Sequence, residues 1–265
     1  YSKSILGSEE SVRKLGIKDL EKFHMNHYTS EKTCIAIAGN LSKHIYQDFE
    51  NSNLSAFNKK GLFNQSSFSE NNNDKSIALA RSGREEINFD KIEFSRIFMA
   101  WNIPSQNDQK YIIGLEILAS ILSVGRNSRL VKVLKEEKNL VESIYVDINA
   151  GEFGGLLIIE ACCESENLKI VEKKINEIID GILDYKNLNK DELKKAINIV
   201  QSNYFFNLET ATQLTSFYGN ELLWGRKYSI KKIEYYLKYW NNLNNFKEII
   251  KFISKDKFTL IATPK

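Results

Sequence analysis

The stretch that decides the fold is Gly114 to Tyr145, GLEILASILSVGRNSRLVKVLKEEKNLVESIY. Its first part is apolar at helical spacing and runs into a Gly125-Arg126-Asn127-Ser128-Arg129-Leu130 corner. A second helical segment carrying Leu134-Lys135-Glu136-Glu137-Lys138 follows, and then a strand over Glu142–Asn149. Gly125 supplies the positive φ that a tight helix–helix corner needs, and Ser128 is placed to cap the next helix. The corner is not a phosphate loop, since it lacks the Gly-Lys-Ser/Thr ending and a preceding strand.

Working outward, Ile92–Trp101 reads as a strand that stops at Asn102-Ile103-Pro104. Asn107 can cap the first helix of the quoted stretch, whose Tyr111, Leu115, Leu118, Ala119 and Leu122 form one stripe. Gly151-Glu152-Phe153-Gly154-Gly155 turns the chain, and Leu156–Cys162 returns antiparallel to the preceding strand. Leu168–Leu183 is a helix with Val171, Ile175, Ile178 and Ile182 inward, and Asp191–Tyr218 is a long helical stretch. Two more helices follow, and Phe258–Thr263 is the last strand. Grouped strands and grouped helices predict an α+β domain, an antiparallel or mixed sheet with helices packed on one face.

Residues 1–50 read as helix, helix, strand, helix, with Ser8 as an N-cap and Thr33–Ala38 as the strand. Residues 51–85 read as a linker, Asn-, Ser- and Lys-rich in its first part, where too little apolar surface exists to offset ordering entropy. Phe57, Phe63 and Phe68 are its apolar exceptions. The predicted organisation is therefore 1–50, a linker at 51–85, and a larger domain at 86–265.

Composition excludes several classes. Lys+Arg number 37 against 34 Asp+Glu, and the two signs are interspersed, so there is no footprint for nucleic acid or anionic lipid. No apolar run approaches the ~20 residues that span a bilayer. Cys34, Cys162 and Cys163 form no disulfide framework, and the adjacent pair reads as buried small hydrophobes. Phe205, Phe206, Phe217, Tyr218 and Trp224 read as core or inter-domain packing. His24 and His27 stand at i, i+3 with no glutamate between them, and His44 stands alone, so no metal site is read in this chain. The chain opens at Tyr1 in mid-motif and is read as a piece of a longer protein.

Taken in order, these pieces resemble the pitrilysin/insulinase zinc metallopeptidases, in particular their processing-peptidase-like branch. The glycine corner before Ser128-Arg129-Leu130 and the Leu134-Lys135-Glu136 that follows are similar to the second half of that fold. Ile5-Leu6-Gly7-Ser8-Glu9-Glu10, His27-Tyr28-Thr29 and the run closing on Ala38-Gly39-Asn40 resemble the end of its first half.

The resemblance implies a chain that forms the C-terminal, substrate-chamber portion of a zinc endopeptidase acting on peptides or unfolded polypeptides. Zinc is then expected on a His-x-x-Glu-His helix upstream. The implied partners are a peptide substrate, that upstream domain, and a second subunit in a homo- or hetero-dimer. An alternative is a non-catalytic presenting subunit. The family's second half supplies an arginine and, seven residues on, a tyrosine that grip the scissile carbonyl. The matching positions here are Lys135 and Glu142, a charge without the guanidinium fork and an acceptor where a donor belongs. Tyr145 lies three residues further along, with the opposite strand parity to Glu142. The two substituted side chains are expected to meet where helix joins strand and to form a weak ion pair.

Overall fold

The computed structural model describes residues 4–29, 32–52, 77–184, 187–223, 230–254 and 256–265. Most of the linker stretch, with its three phenylalanines, lies outside the described residues, as does Trp224. Contacts divide the chain into two units, one drawing on residues 1–72 and 205–228, the other on 73–204 and 229–265.

The larger unit is built on a five-stranded mixed sheet. Its strands are β1 (Gly83–Phe89), β2 (Ser95–Ile103), β3 (Ser143–Ala150), β4 (Gly155–Cys163) and β5 (Phe258–Pro264), in the spatial order β1-β5-β2-β4-β3. The hairpin read from the sequence is present, with Ser143 opposite Cys162 and Ala150 opposite Gly155. β1 runs parallel to β5, whereas β2 is antiparallel to both of its neighbours. β1 was not foreseen, and it begins at Gly83. Its first four residues, Gly83-Arg84-Glu85-Glu86, carry no apolar side chain, so the alternation at Ile87 and Phe89 is too short to announce a strand, and every residue of it is exposed.

The inward side chains of β2 are Ile97, Met99, Trp101 and Ile103, each at most 3% exposed. α5 (Leu168–Leu183) packs on β2, and α4 (Gln109–Ser123) packs on β3. α5 is amphipathic, with Leu168, Val171, Ile175, Ile179 and Ile182 buried. Ile178 is only half-buried, because the 3.6-residue turn brings Ile179 into the stripe. α4 departs from the single stripe read in the sequence. A stripe would bury every third or fourth residue, yet everything from Ile112 to Leu122 except Glu116 is buried. The cause is a second layer: α8 (Ile230–Trp240) and α9 (Leu243–Ile250) pack on the side of α4 away from the sheet.

Gly114 makes that layer possible. A Cβ there would lie 2.3 Å from Ile249 Cδ1 and 3.0 Å from Trp240 Cε2. Trp240 is fully buried, and its indole N–H donates to the Lys110 carbonyl at 2.7 Å. The segment entering β1 is also pinned. The Asn102 amide accepts from the N–H groups of Leu79 and Ala80 and donates to the Ala80 carbonyl, at 2.7–2.9 Å. Among the described residues no helix is long and apolar enough to cross a membrane.

The smaller unit contains α1 (Glu9–Arg13), α2 (Ile17–His27), α3 (Ile45–Glu50) and α7 (Ala211–Leu223). Ser8 caps α1 as read, accepting from the Ser11 N–H at 3.2 Å. Residues 33–38 are not a strand: no ladder partner exists for them among the described residues. Their exposure still alternates, with Ile35 and Ile37 outward. The long helical stretch is likewise two helices, α6 (Lys190–Phe206) and α7. The break is a capping box, in which Thr210 Oγ1 accepts from the Gln213 N–H and Gln213 Oε1 accepts from the Thr210 N–H. Phe205, Phe206 and Tyr218 are 41–60% exposed and so are not core residues.

Two predictions follow from α4. Gly114→Ala gains about 1 kcal/mol of helix propensity but must push a packed isoleucine and tryptophan apart, which costs about 1–3 kcal/mol and prevails. Denaturant unfolding should show a net loss. Glu116 is the one acidic residue of the helix, and burial raises its carboxyl to about 7, partly opposed by a hydrogen bond with Tyr204. A raised carboxylate pKa means that the folded state holds the proton more tightly. Stability is therefore full below the unfolded value near 4.5 and falls as pH rises towards 7. Glu116→Gln should be close to neutral at pH 4 and stabilising at pH 8, by on the order of 1–3 kcal/mol.

Candidate functional site: the helix–strand corner

α4 ends at Ser123, and Gly125 turns the chain at φ +85°. Ser128 does not cap the next helix as read. Its hydroxyl turns back and donates to the Gly125 carbonyl at 2.7 Å, closing the corner on itself. The segment that follows winds as a π-helix over Val131–Glu137 rather than as an α-helix. Leu130 and Leu134 are fully buried and anchor it, while Lys135 faces solvent. Lys138 closes it, and Asn139 adopts φ +46°, the left-handed conformation that asparagine tolerates at a helix end.

Lys135 and Glu142 do meet at this corner. The contact is not the expected ion pair: Lys135 Nζ donates to the Glu142 backbone carbonyl at 2.8 Å. The chain enters β3 just after Glu142, whose own N–H bonds the Cys162 carbonyl at 2.8 Å. That holds the Glu142 carbonyl within reach of the ammonium, and the carboxylate stays in solvent. Lys135 therefore spends one of its three donors on the backbone.

Tyr145 stands on the sheet face away from α4, in register with Glu160 of β4. Its phenol donates to Glu160 Oε2, and Arg96 Nη1 donates to Glu160 Oε1 at 2.6 Å. The Glu160 hydrogen bond holds the Tyr145 phenol above its ordinary range. The face thus carries a guanidinium and a phenol joined through one carboxylate, a network the sequence reading did not find, since its members lie 15 and 64 residues apart.

β3 is an edge strand, and its edge is closed. The Val146 N–H donates to Ser123 Oγ and the Ile148 N–H to Asp147 Oδ1, both at 2.9 Å, instead of to a further strand. Cys162 and Cys163 are buried in β4, as read, and desolvation pushes both thiols up, Cys163 to about 11.

Residues 14–200 match the family described as the peptidase M16 inactive domain. The chain belongs to that family. Among curated relatives, this M16 chain is 23% identical over 231 residues to an uncharacterized zinc protease of Streptomyces coelicolor, covering 85% of the chain and 49% of the relative. The chain spans about half the length of the curated relatives it matches. A protease from Helicobacter pylori superposes at TM-score 0.74 with 14% identity, over 97% of this chain and 62% of that one. A peptidase M16 inactive domain from Pseudomonas fluorescens superposes at 0.70 with 14% identity, over 98% and 60%. At these identities the superpositions establish the fold.

The histidines of this M16 chain do not make a zinc site. His24 stacks on Tyr28, with ring centroids 4.8 Å apart, and His27 packs on Phe23 at 4.3 Å. No group of three His, Cys, Asp or Glu side chains positioned to hold a metal occurs among the described residues.

The corner's strongest internal tie is Arg129. Its fork grips both oxygens of Glu192 on α6 at 2.7 Å and the Asn187 carbonyl at 2.6 Å. Both side chains are about three-quarters or more covered. Arg129→Ala should lower stability by about 1.5–3 kcal/mol in denaturant unfolding, and Arg129→Lys should recover only part of it, since lysine lacks the bidentate fork.

Proposed function

We propose that this chain is the substrate-side half of a zinc-dependent endopeptidase that acts on peptides or unfolded polypeptides. It forms one wall of the chamber that holds the substrate, and the zinc lies on the preceding domain of the same protein. The observation that carries this reading is the match to the inactive domain of the M16 peptidases over residues 14–200. The matched part of the chain covers only about half of each relative named as a zinc protease, which supports a catalytic half outside it and favours an enzyme over a presenting subunit. The exposed apolar side chains of α2, Ile17, Leu20, Phe23 and Met25, and the unpaired run 33–38 are what a domain tail would present to the rest of its domain. On this reading residues 1–50 belong with that preceding domain, and residues 86–265 form the second.

Lys135 and Glu142 are the proposed substrate-facing pair. Lys135, which keeps two ammonium donors beyond the one given to the Glu142 carbonyl, stands at the sequence position that matches the family's arginine, and the Glu142 carboxylate supplies an acceptor. The corner then positions a peptide more than it stabilises a developing oxyanion, which needs donors.

The test uses the complete protein and an unstructured fluorogenic peptide. The complete protein should cleave it in a chelator-sensitive manner, whereas the 265-residue chain with added zinc should not. Installing Lys135→Arg together with Glu142→Tyr in the complete protein should raise kcat/KM by roughly tenfold, the scale of one added charge-assisted hydrogen bond. Cleavage by the chain alone, or an unchanged kcat/KM with zinc content and melting temperature intact, would contradict the reading.

A further inference from the structure

β1 is the other edge of the sheet, and it is open. The Gly83 N–H donates to the Lys257 carbonyl at 3.1 Å, and the Phe89 carbonyl accepts from the Lys265 N–H at 3.2 Å. Backbone groups of alternate residues in a strand point to the same side, so those of Glu85 and Ile87 also face β5. The N–H and C=O groups of Arg84, Glu86 and Asn88 point off the sheet, and they have no hydrogen-bond partner among the described residues. β3, at the opposite edge, spends its outward N–H groups on Ser123 and Asp147. Charged side chains are the usual guard of an exposed edge, but those of β1 are engaged within the chain. Arg84 pairs with Glu86 at 2.6 Å and with Glu172 of α5 at 3.3 Å, and Glu85 pairs with Arg81 at 2.9 Å. Because Arg84 reaches α5, the odd-numbered side chains lie on the sheet face away from that helix, where Ile87 and Phe89 stay 41% and 45% exposed.

The side-chain pattern selects the occupant. Across a twofold axis β1 meets itself antiparallel, and its outward residues must face outward residues. Centred on Arg84, Glu85 or Glu86, the pairing sets that charge against its own copy. Centred on Asn88, it sets Glu86 against Asp90. Centred on Ile87, it opposes no like charges: Ile87 meets Ile87 of the second copy, Glu86 meets Asn88, and Arg84 meets Asp90 just past the strand. The Asn88 amide suits this register. Its oxygen already accepts from Thr263 Oγ1, which leaves its N–H groups to donate to the Glu86 carboxylate across the axis.

We propose that β1 is a self-association edge, at which two copies of this chain join β1 to β1 antiparallel about Ile87 and continue one sheet into the other. Glu86 and Asn88 of the two copies then exchange about four backbone hydrogen bonds. With little else buried, this is well under a standard interface, so the dimer is weak, with a Kd on the order of 10–100 μM. The inference is independent of the proposed peptidase role, because no residue of the Lys135–Glu142 corner takes part.

The test is sedimentation velocity of the full chain from roughly 10 to 500 μM, which should show a concentration-dependent dimer. Glu86→Pro should raise the dimer Kd at least about tenfold. Its melting temperature should not fall, because the lost N–H points away from β5, and this separates loss of pairing from loss of fold. Glu86→Ala keeps that N–H and should still dimerise. Disulfide formation reads the register, since residues directly opposite in a non-hydrogen-bonded pair stand about 4.5 Å apart at Cα, within disulfide reach. Under mild oxidation Ile87→Cys should give a covalent dimer, whereas Glu85→Cys and the parent chain should not. A chain that stays monomeric at the highest concentration would overturn the proposal, including one whose β1 amides gain exchange protection only when an extended peptide is added. So would a dimer that Glu86→Pro leaves intact, or cross-linking through Glu85→Cys in place of Ile87→Cys.

Discussion

The larger unit depends on one close approach, the seat of α8 and α9 against α4 at Gly114. Because that helix is sandwiched between a sheet and a second helical layer, it has no polar face left to slide along. Its end is consequently fixed, and with it the glycine corner. Ser123, the last residue of α4, donates to the Ala119 carbonyl and accepts from Val146 of β3, so the helix end and the edge strand are tied directly. The 19 residues between α4 and β3 form the corner that contains the π-helix, and its ends cannot move apart without breaking that tie. Burial of α4 therefore sets where Lys135, Glu142 and Tyr145 can stand.

The corner is electrostatically economical. Lys135 is held by a backbone carbonyl and Arg129 by a carboxylate, while Tyr145 and Arg96 share Glu160. Most of the donors that could stabilise charge on a bound peptide are committed within the chain, and no nucleophile–base pair is assembled at the corner. On the proposed reading, such an arrangement serves binding and orientation and leaves bond-breaking to groups elsewhere. A π-helix in place of an α-helix shifts the side chains that follow it around the axis, and such segments are frequent at functional positions.

Much of the architecture was legible in the sequence, because it rests on local signals. The β3–β4 hairpin follows from Gly151 to Gly155 between two apolar runs, and α5 from its periodic Val171, Ile175 and Ile182. Elements with weak local signals were misread. β1 is mostly polar and wholly exposed, and its pairing with β5, about 175 residues away, makes it a strand. Conversely, residues 33–38 have the alternation of a strand and no partner among the described residues. The corner shows the same division. Gly125 and the meeting of Lys135 with Glu142 could be read from type and spacing. Ser128's turn back to Gly125 and the left-handed Asn139 depend on a π-helical geometry that no period announces. The Arg129–Glu192 fork and the Tyr145–Glu160–Arg96 network join residues 15 to 64 positions apart, and only the folded register brings them together.

The central claim, that this chain forms the substrate-side wall of a peptidase chamber, is tested most directly by locating a bound peptide. An unstructured peptide carrying a photo-activated diazirine near its scissile bond, bound to the zinc-stripped complete protein, should cross-link within residues 131–145 as well as to the preceding domain. Mass spectrometric mapping that places cross-links on the preceding domain alone, at saturating peptide, would contradict the account.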